Sequence, residues 1–125
     1  MHGWTFYDYV APGNRIPFLE WMSELPPDAQ ARIDAQILTM SNLEKWSEKW
    51  VSKYKTVDEI FELRITFKKV QYRPLGTYAR NWSFVLLGGG IEKDGKIPKS
   101  VIDAVQVRQQ TLEASPHYVR PHQLY

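Results

Sequence analysis

The chain has 125 residues, 43% of them hydrophobic and 24% charged, with a formal net charge of +2 and a pI near 8.8. That balance fits one globular domain with a modest core, and it permits an anionic partner without demanding one. The sequence has no cysteine, which removes disulfide frameworks, thiolate metal sites and cysteine nucleophiles; with no long apolar run and no basic-then-apolar leader, the expectation is a cytoplasmic protein that makes no use of a membrane.

In chain order, Trp4 to Val10 reads as a first strand, bounded by Ala11-Pro12-Gly13-Asn14. A short helix follows, capped by Asn14, with Pro17 in its first turn and Phe18, Met22 and Leu25 on one stripe. Pro26-Pro27 breaks it, and a longer helix begins near Asp28 with Ile33, Ile37 and Met40 inward and Leu38 widening that face. From Asn42 to Asp58 the pattern weakens. Leu43, Trp46 and Trp50 keep helical spacing while lysines crowd between them, so this stretch reads as a frayed helix end and exposed connector, or else as a basic flap near a ligand.

Strand character returns at Ile60 to Phe67, where Phe61, Leu63, Ile65 and Phe67 alternate with Glu62, Arg64 and Thr66. The alternation predicts one core face and one wet face. Val70 to Leu75 and Trp82 to Leu87 complete a three-strand meander. Gly88-Gly89-Gly90 then opens a flexible connection to a last helix after Pro98, with Val101, Ile102, Val105 and Leu112 as its apolar stripe. The order strand, helix, helix, three strands, helix predicts an α+β domain over residues 1–115, with a mostly antiparallel sheet and helices packed on one face. The other face is left for a ligand. Residues 116–125 are expected to form an extended tail.

If Lys68-Lys69 is a two-residue hairpin turn, Phe67 lies opposite Val70 and Arg64 opposite Arg73. Two guanidiniums facing each other need a carboxylate or an anionic ligand between them, because like charges directly opposite weaken a strand pair. Two readings follow: a surface network of Glu62, Arg64 and Arg73, or a phosphate site. Lys93, Lys96 and Lys99 add positive charge downstream. The glycine run lacks the pattern of a nucleotide-binding loop. The histidines, His2, His117 and His122, sit at the termini as solvated residues, and the scattered carboxylates form no metal constellation, so neither a metal nor any other cofactor is expected.

Taken in order, Glu62-Leu63-Arg64, Tyr72-Arg73, Val85-Leu86-Leu87, Lys93 and Lys96-Ile97-Pro98, followed by a helix with Ala104 and Arg108, resemble the phage-derived HigB-like branch of the RelE superfamily of bacterial toxins. That branch typically reads E-L-R, Y-R and then L-L-H-G-F-x-K-K-x-x-K-x-P. The resemblance covers about residues 57–114 and implies a RelE-like fold. It also implies metal-independent cleavage of messenger RNA in the ribosomal A site, with a cognate antitoxin, of helix-turn-helix type, as the blocking partner.

By motif position, Arg64 and Arg73 would hold the scissile phosphate, and Lys93 would add charge or protonate the leaving oxygen. Glu92 stands where the first lysine of the K-K pair falls, as a candidate general base or as a surface carboxylate paired to Lys96. Lys68, Lys69, Lys96 and Lys99 are the expected RNA-binding residues. Gly88-Gly89-Gly90 replaces the family's H-G-F, and that departure leaves a second reading: a catalytically weakened protein that keeps the fold and binds antitoxin or RNA.

Overall fold

A computed structural model describes residues 3–124 and shows an α+β chain built on a seven-stranded sheet with three α-helices. His2 lies outside the described residues. The first strand, β1, runs from Thr5 to Tyr9, and a 3-10 turn at Pro12–Asn14 leads to α1, Pro17–Ser23. Asn14 does not cap this helix: its φ is 60°, and α1 begins with Pro17 in its first turn and no side-chain cap. The longer helix, α2, spans Pro27–Ser41 and buries Ile33, Ile37 and Met40 as the stripe predicts, whereas Leu38 is 49% exposed and lies outside it.

The segment after α2 is the first correction. Instead of a frayed helix end it contains β2, Val51–Lys53, which pairs antiparallel with β3, Phe61–Leu63. Trp46 and Trp50 pack against the core rather than pointing outward. Trp46 stacks on Phe6 and donates Nε1–H to the Met40 carbonyl at 2.8 Å, which fastens the connector to the end of α2.

The predicted strand at 60–67 is split at Arg64 into β3 and β4, Ile65–Phe67. Both pair with β5, Val70–Ala79, in one continuous register: Glu62 opposite Leu75, and Phe67 opposite Val70. Arg64 leaves the ladder because its backbone groups are used elsewhere. Its N–H donates to the Trp50 carbonyl at 2.9 Å, and its carbonyl accepts from Gln36 Nε2 at 3.0 Å. Lys68 and Lys69 do form a two-residue turn, with φ of 49° and 68°, the left-handed conformation that matches strand twist in tight hairpins.

The next strand, β6, covers Ser83–Glu92 and pairs antiparallel with β5 and parallel with β1. A last helix, α3, spans Lys99–Ala114, and a short final strand, β7, Val119–Pro121, pairs antiparallel with β1 at the sheet edge. The sheet order is β2-β3-β5-β6-β1-β7, with β4 beside β5.

The glycine run is the second correction. Gly88, Gly89 and Gly90 are not a loop; they lie inside β6 opposite Leu75, Pro74 and Arg73. A register shift at Leu75/Gly76 leaves Leu87 as an extra residue on β6, and such a bulge turns the side-chain alternation. Arg108 Nη1 donates to the Leu87 carbonyl at 2.9 Å. A Cβ on Gly89 would stand 2.2 Å from the Trp21 ring; one on Gly88 would meet Arg108 and Val105, and one on Gly90 would touch Ile97. The glycines are therefore a packing requirement, letting helices approach the strand closely from both sides.

Helices on both sides is the third correction. One face of the sheet packs Phe6, Phe84, Leu86, Leu63 and Ile65 against α1 and α2. The other packs Tyr9, Leu75, Val85 and Leu87 against Ile102, Val105 and Leu112 of α3. Neither face is wholly free. No helix among the described residues is long and apolar enough to cross a membrane.

Candidate functional site

Residues directly opposite in a strand pair share a face, so the pairing of Arg73 with Gly90 and of Glu62 with Leu75 places Arg73 and Glu62 on the α3 side of the sheet. Glu92 is opposite Gln71, two residues along from Arg73, and Ser52 is opposite Glu62. Four strands thus deliver Ser52, Glu62, Arg73, Gln71 and Glu92 to one patch, with Arg64 on the break between β3 and β4. The grouping follows from period-two alternation once the register is set.

Glu62 is the hub. Its Oε1 accepts from Arg64 Nη1 at 3.0 Å and from Ser52 Oγ at 3.2 Å, and its Oε2 lies 3.8 Å from Arg73 Nε. Arg73 is only 2% exposed. It donates from Nη1 to the Tyr72 carbonyl at 3.1 Å and from Nη2 to Gln71 Oε1 at 2.9 Å, with Glu92 Oε2 at 3.5 Å. Gln71 Oε1 also accepts from Thr66 Oγ1 at 2.7 Å, which fixes the amide that holds the guanidinium.

The cluster therefore contains the network anticipated from spacing, but buried rather than on the surface. Glu92 pairs with Arg73, Nε to Oε1 at 3.4 Å, and not with Lys96. Two buried atoms are left without hydrogen bonds, Arg73 Nε and Glu62 Oε2. Both are nevertheless ion-paired, with Arg73 Nε 3.4 Å from Glu92 Oε1 and 3.8 Å from Glu62 Oε2, so the charges are balanced where hydrogen-bond geometry is not met. Arg64 is the solvent-facing member, with 39% of its side chain exposed. It spends Nη1 on Glu62 and Ser52, leaving Nε and Nη2 without a partner among the described residues.

The basic residues divide by position. Lys93 and Lys96 close the turn after β6 through reciprocal backbone hydrogen bonds of 2.8 and 2.9 Å, with Asp94 and Gly95 at positive φ between them. Their side chains are exposed and make no ion pair among the described residues. Lys68 is held by Asp28 at 2.6 Å, and Lys99 by Asp103 at 2.8 Å. Lys69 is adjacent in the β4–β5 turn. A cleft of about 720 Å³ lies at the other end of the sheet among Tyr7, Arg80, Gln109 and Glu113 and contains none of these residues. Recognition of a phosphate depends on convergent charge rather than enclosed volume, so the arginine cluster is the better chemical candidate.

Spacing in the sequence did not single out Ser52 or Gln71. Gln71 was reachable, being two residues from Arg73 on the same strand face; Ser52 was not, because its strand is three residues long and lies in a stretch with helical spacing. The expectation of a solvated His122 is overturned. The His122 side chain is buried, with Nδ1 2.8 Å from Asp8 Oδ1 and Nε2 3.0 Å from Asp34 Oδ1. Burial alone would lower its pKa, but the hydrogen bonds and charges of Asp34 and Asp8 outweigh that and raise it to about 9. Both ring nitrogens then donate, and the tail is pinned to β1 and α2.

The model of the family described as Phage derived protein Gp49-like (DUF891) matches residues 20–110. The chain belongs to this family. The Gp49-like family is a toxin-like family of RelE/HigB type, and the match spans α1 to α3, including every member of the arginine and glutamate cluster. No curated protein matches the chain.

Proposed function

We propose that this Gp49-like protein is the toxin of a toxin–antitoxin pair and cleaves messenger RNA on the ribosome without a metal. The observation that carries the reading is Arg73: a buried guanidinium whose Nε–H has no hydrogen bond, 3.8 Å from Glu62 and 3.4 Å from Glu92, beside the exposed Arg64. Arginine keeps its charge and binds phosphate through two donors. A phosphate at this patch would meet Arg64 directly, and Arg73 by displacing the carboxylate of Glu62 or Glu92 from it.

In the proposed reaction the ribose 2′-oxygen bonds to the adjacent phosphorus as the bond from phosphorus to the 5′-oxygen breaks. Glu92, the more exposed carboxylate at 21%, takes the proton from the 2′-OH, and Lys93 supplies one to the departing 5′-oxygen. Arg64 and Arg73 stabilise the charge that develops on phosphorus-bound oxygens. The products are a 2′,3′-cyclic phosphate and a 5′-hydroxyl. Lys68, Lys69, Lys96 and Lys99 contact the RNA backbone around this point, and a helix-turn-helix antitoxin is the proposed inhibitor.

A second reading has its own support: Glu62 and Glu92 already neutralise Arg64 and Arg73 one for one, as expected of a fold that keeps its surface and has lost cleavage. Induced expression in bacteria separates the two. The toxin reading expects growth arrest that Arg73→Ala abolishes. Normal growth together with RNA binding that weakens with salt, and no cleavage, would favour the binding module.

A further inference from the structure

Arg73 turns one edge of its guanidinium, the Nε–H and Nη2–H pair, toward the carboxylate of Glu92. Nε stands 3.4 Å from Oε1 and Nη2 3.5 Å from Oε2. Arginine takes carboxylates and phosphates through two such parallel contacts, which close to about 2.7–2.9 Å when they are tight, so this one is loose. Glu62 is held differently. It lies in β3, between β2 and β5, with Oε1 accepting from Arg64 at 3.0 Å and from Ser52 at 3.2 Å, and its side chain is 9% exposed. Glu92 is the last residue of β6, next to the Lys93–Lys96 turn, and its side chain is 21% exposed. Among the described residues its one ion pair is with Arg73. Of the two carboxylates facing Arg73, Glu92 is the one that can leave without breaking other contacts.

From this asymmetry we infer that the Arg73 edge is a seat for a singly charged phosphodiester, kept closed by the chain's own Glu92, which swings out as the phosphate enters. The inference deepens, and rests on, the reading of this patch as an RNA phosphate site. Charge selects the ligand class. Arg64 and Arg73 are balanced by Glu62 and Glu92, and exchanging Glu92 for one diester leaves that balance unchanged. A doubly charged phosphate monoester would add a negative charge beside the buried Glu62, where low dielectric magnifies the repulsion. The exchange also orders the chemistry: the movement that seats the phosphate releases the Glu92 oxygens from the guanidinium, and only then are they available to the 2′-OH. Until an RNA phosphate arrives, the arginine and the base hold each other out of use.

The probe is the dinucleotide thymidylyl-thymidine, which has one phosphodiester and no 2′-OH, so its binding is read without cleavage. Thymidine 5′-monophosphate, close to doubly charged at neutral pH, is the comparison. The full chain is titrated with each, and the Arg73 Nε–H resonance is followed by NMR. The native chain is expected to favour the dinucleotide over the monophosphate, with the Nε–H resonance moving as it binds. Apparent affinity scales with the fraction of molecules whose seat is open, so Glu92→Gln and Glu92→Ala should each bind the dinucleotide about tenfold more tightly. Glu62→Gln and the turn variant Asp94→Asn remove the same charge without opening the seat, and are expected not to tighten binding. Equal tightening in all four variants would overturn the inference by reducing it to net charge. No tightening in the Glu92 variants, no binding at all, an Nε–H resonance that stays still, or preference for the monophosphate would each overturn it as well. A chain that shows the exchange yet leaves RNA intact supports the seat and contradicts the cleavage reading alone.

Discussion

Arg73 Nε and Glu62 Oε2 stand 3.8 Å apart, both buried and neither hydrogen-bonded. Removing one partner of a buried ion pair leaves a charge that can neither reach water nor find a substitute, at a cost of about 3–5 kcal/mol. Glu62→Ala is therefore expected to destabilise the fold by about 3 kcal/mol, the lower end, since Arg73 keeps Glu92. Urea denaturation measures it. A loss below about 0.5 kcal/mol, the scale of an ordinary surface substitution, would show that Glu62 is not the hub.

Gly89 tests the packing account of the glycine run. A methyl group there would enter the Trp21 ring, and overpacking of this kind costs about 1–3 kcal/mol. Gly89→Ala should destabilise by that amount, and the cost should shrink when Trp21→Ala is made in the same chain. Equal costs in both backgrounds would place the strain elsewhere.

The buried His122 side chain gives a pH dependence with a definite sign. Its pKa in the folded chain is about 9, above the ordinary value of 6.5. The stabilisation is fully present below about pH 6.5 and is lost as pH rises through about 9, reaching about 3 kcal/mol at most. The stability difference between the native chain and His122→Ala should therefore narrow from pH 6 to pH 10. A difference that stays constant would mean that the imidazole is not charged between Asp8 and Asp34.

Lys68 and Lys69 adopt positive φ without being glycine, at a backbone cost of roughly 1–2 kcal/mol per residue. Lys69→Gly should stabilise the hairpin by up to about 1 kcal/mol. If Lys69 also contacts RNA, the same variant should bind oligouridylate more weakly, so thermal melting and RNA titration move in opposite directions. Unchanged melting would contradict the strain argument.

The arginine register was legible in the sequence because period-two alternation and a two-residue turn together determine which residues oppose each other, and Lys68-Lys69 kept that register in spite of unfavourable turn chemistry. What was not legible depends on contacts distant in the chain. Glu62 looked wet by alternation, yet it is buried between two arginines. Gly88 to Gly90 looked like a connector because a glycine run carries no apolar signal, whereas Trp21 and α3 are what require it. Val51–Lys53 is too short to outweigh the helical spacing of Leu43, Trp46 and Trp50. His122 looked solvated because neither Asp8 nor Asp34 is near it in sequence.

Mapping transcript 5′ ends after induced expression tests the central claim most directly, in the native chain, in Arg73→Ala, in the exposed-site variant Arg64→Ala, and in Arg32→Ala on α2 as a control. The account predicts new 5′ ends within A-site codons and growth arrest for the native chain and Arg32→Ala, and loss of both in the other two variants. Intact transcripts in cells expressing the native chain, or cleavage that persists in both arginine variants, would contradict it.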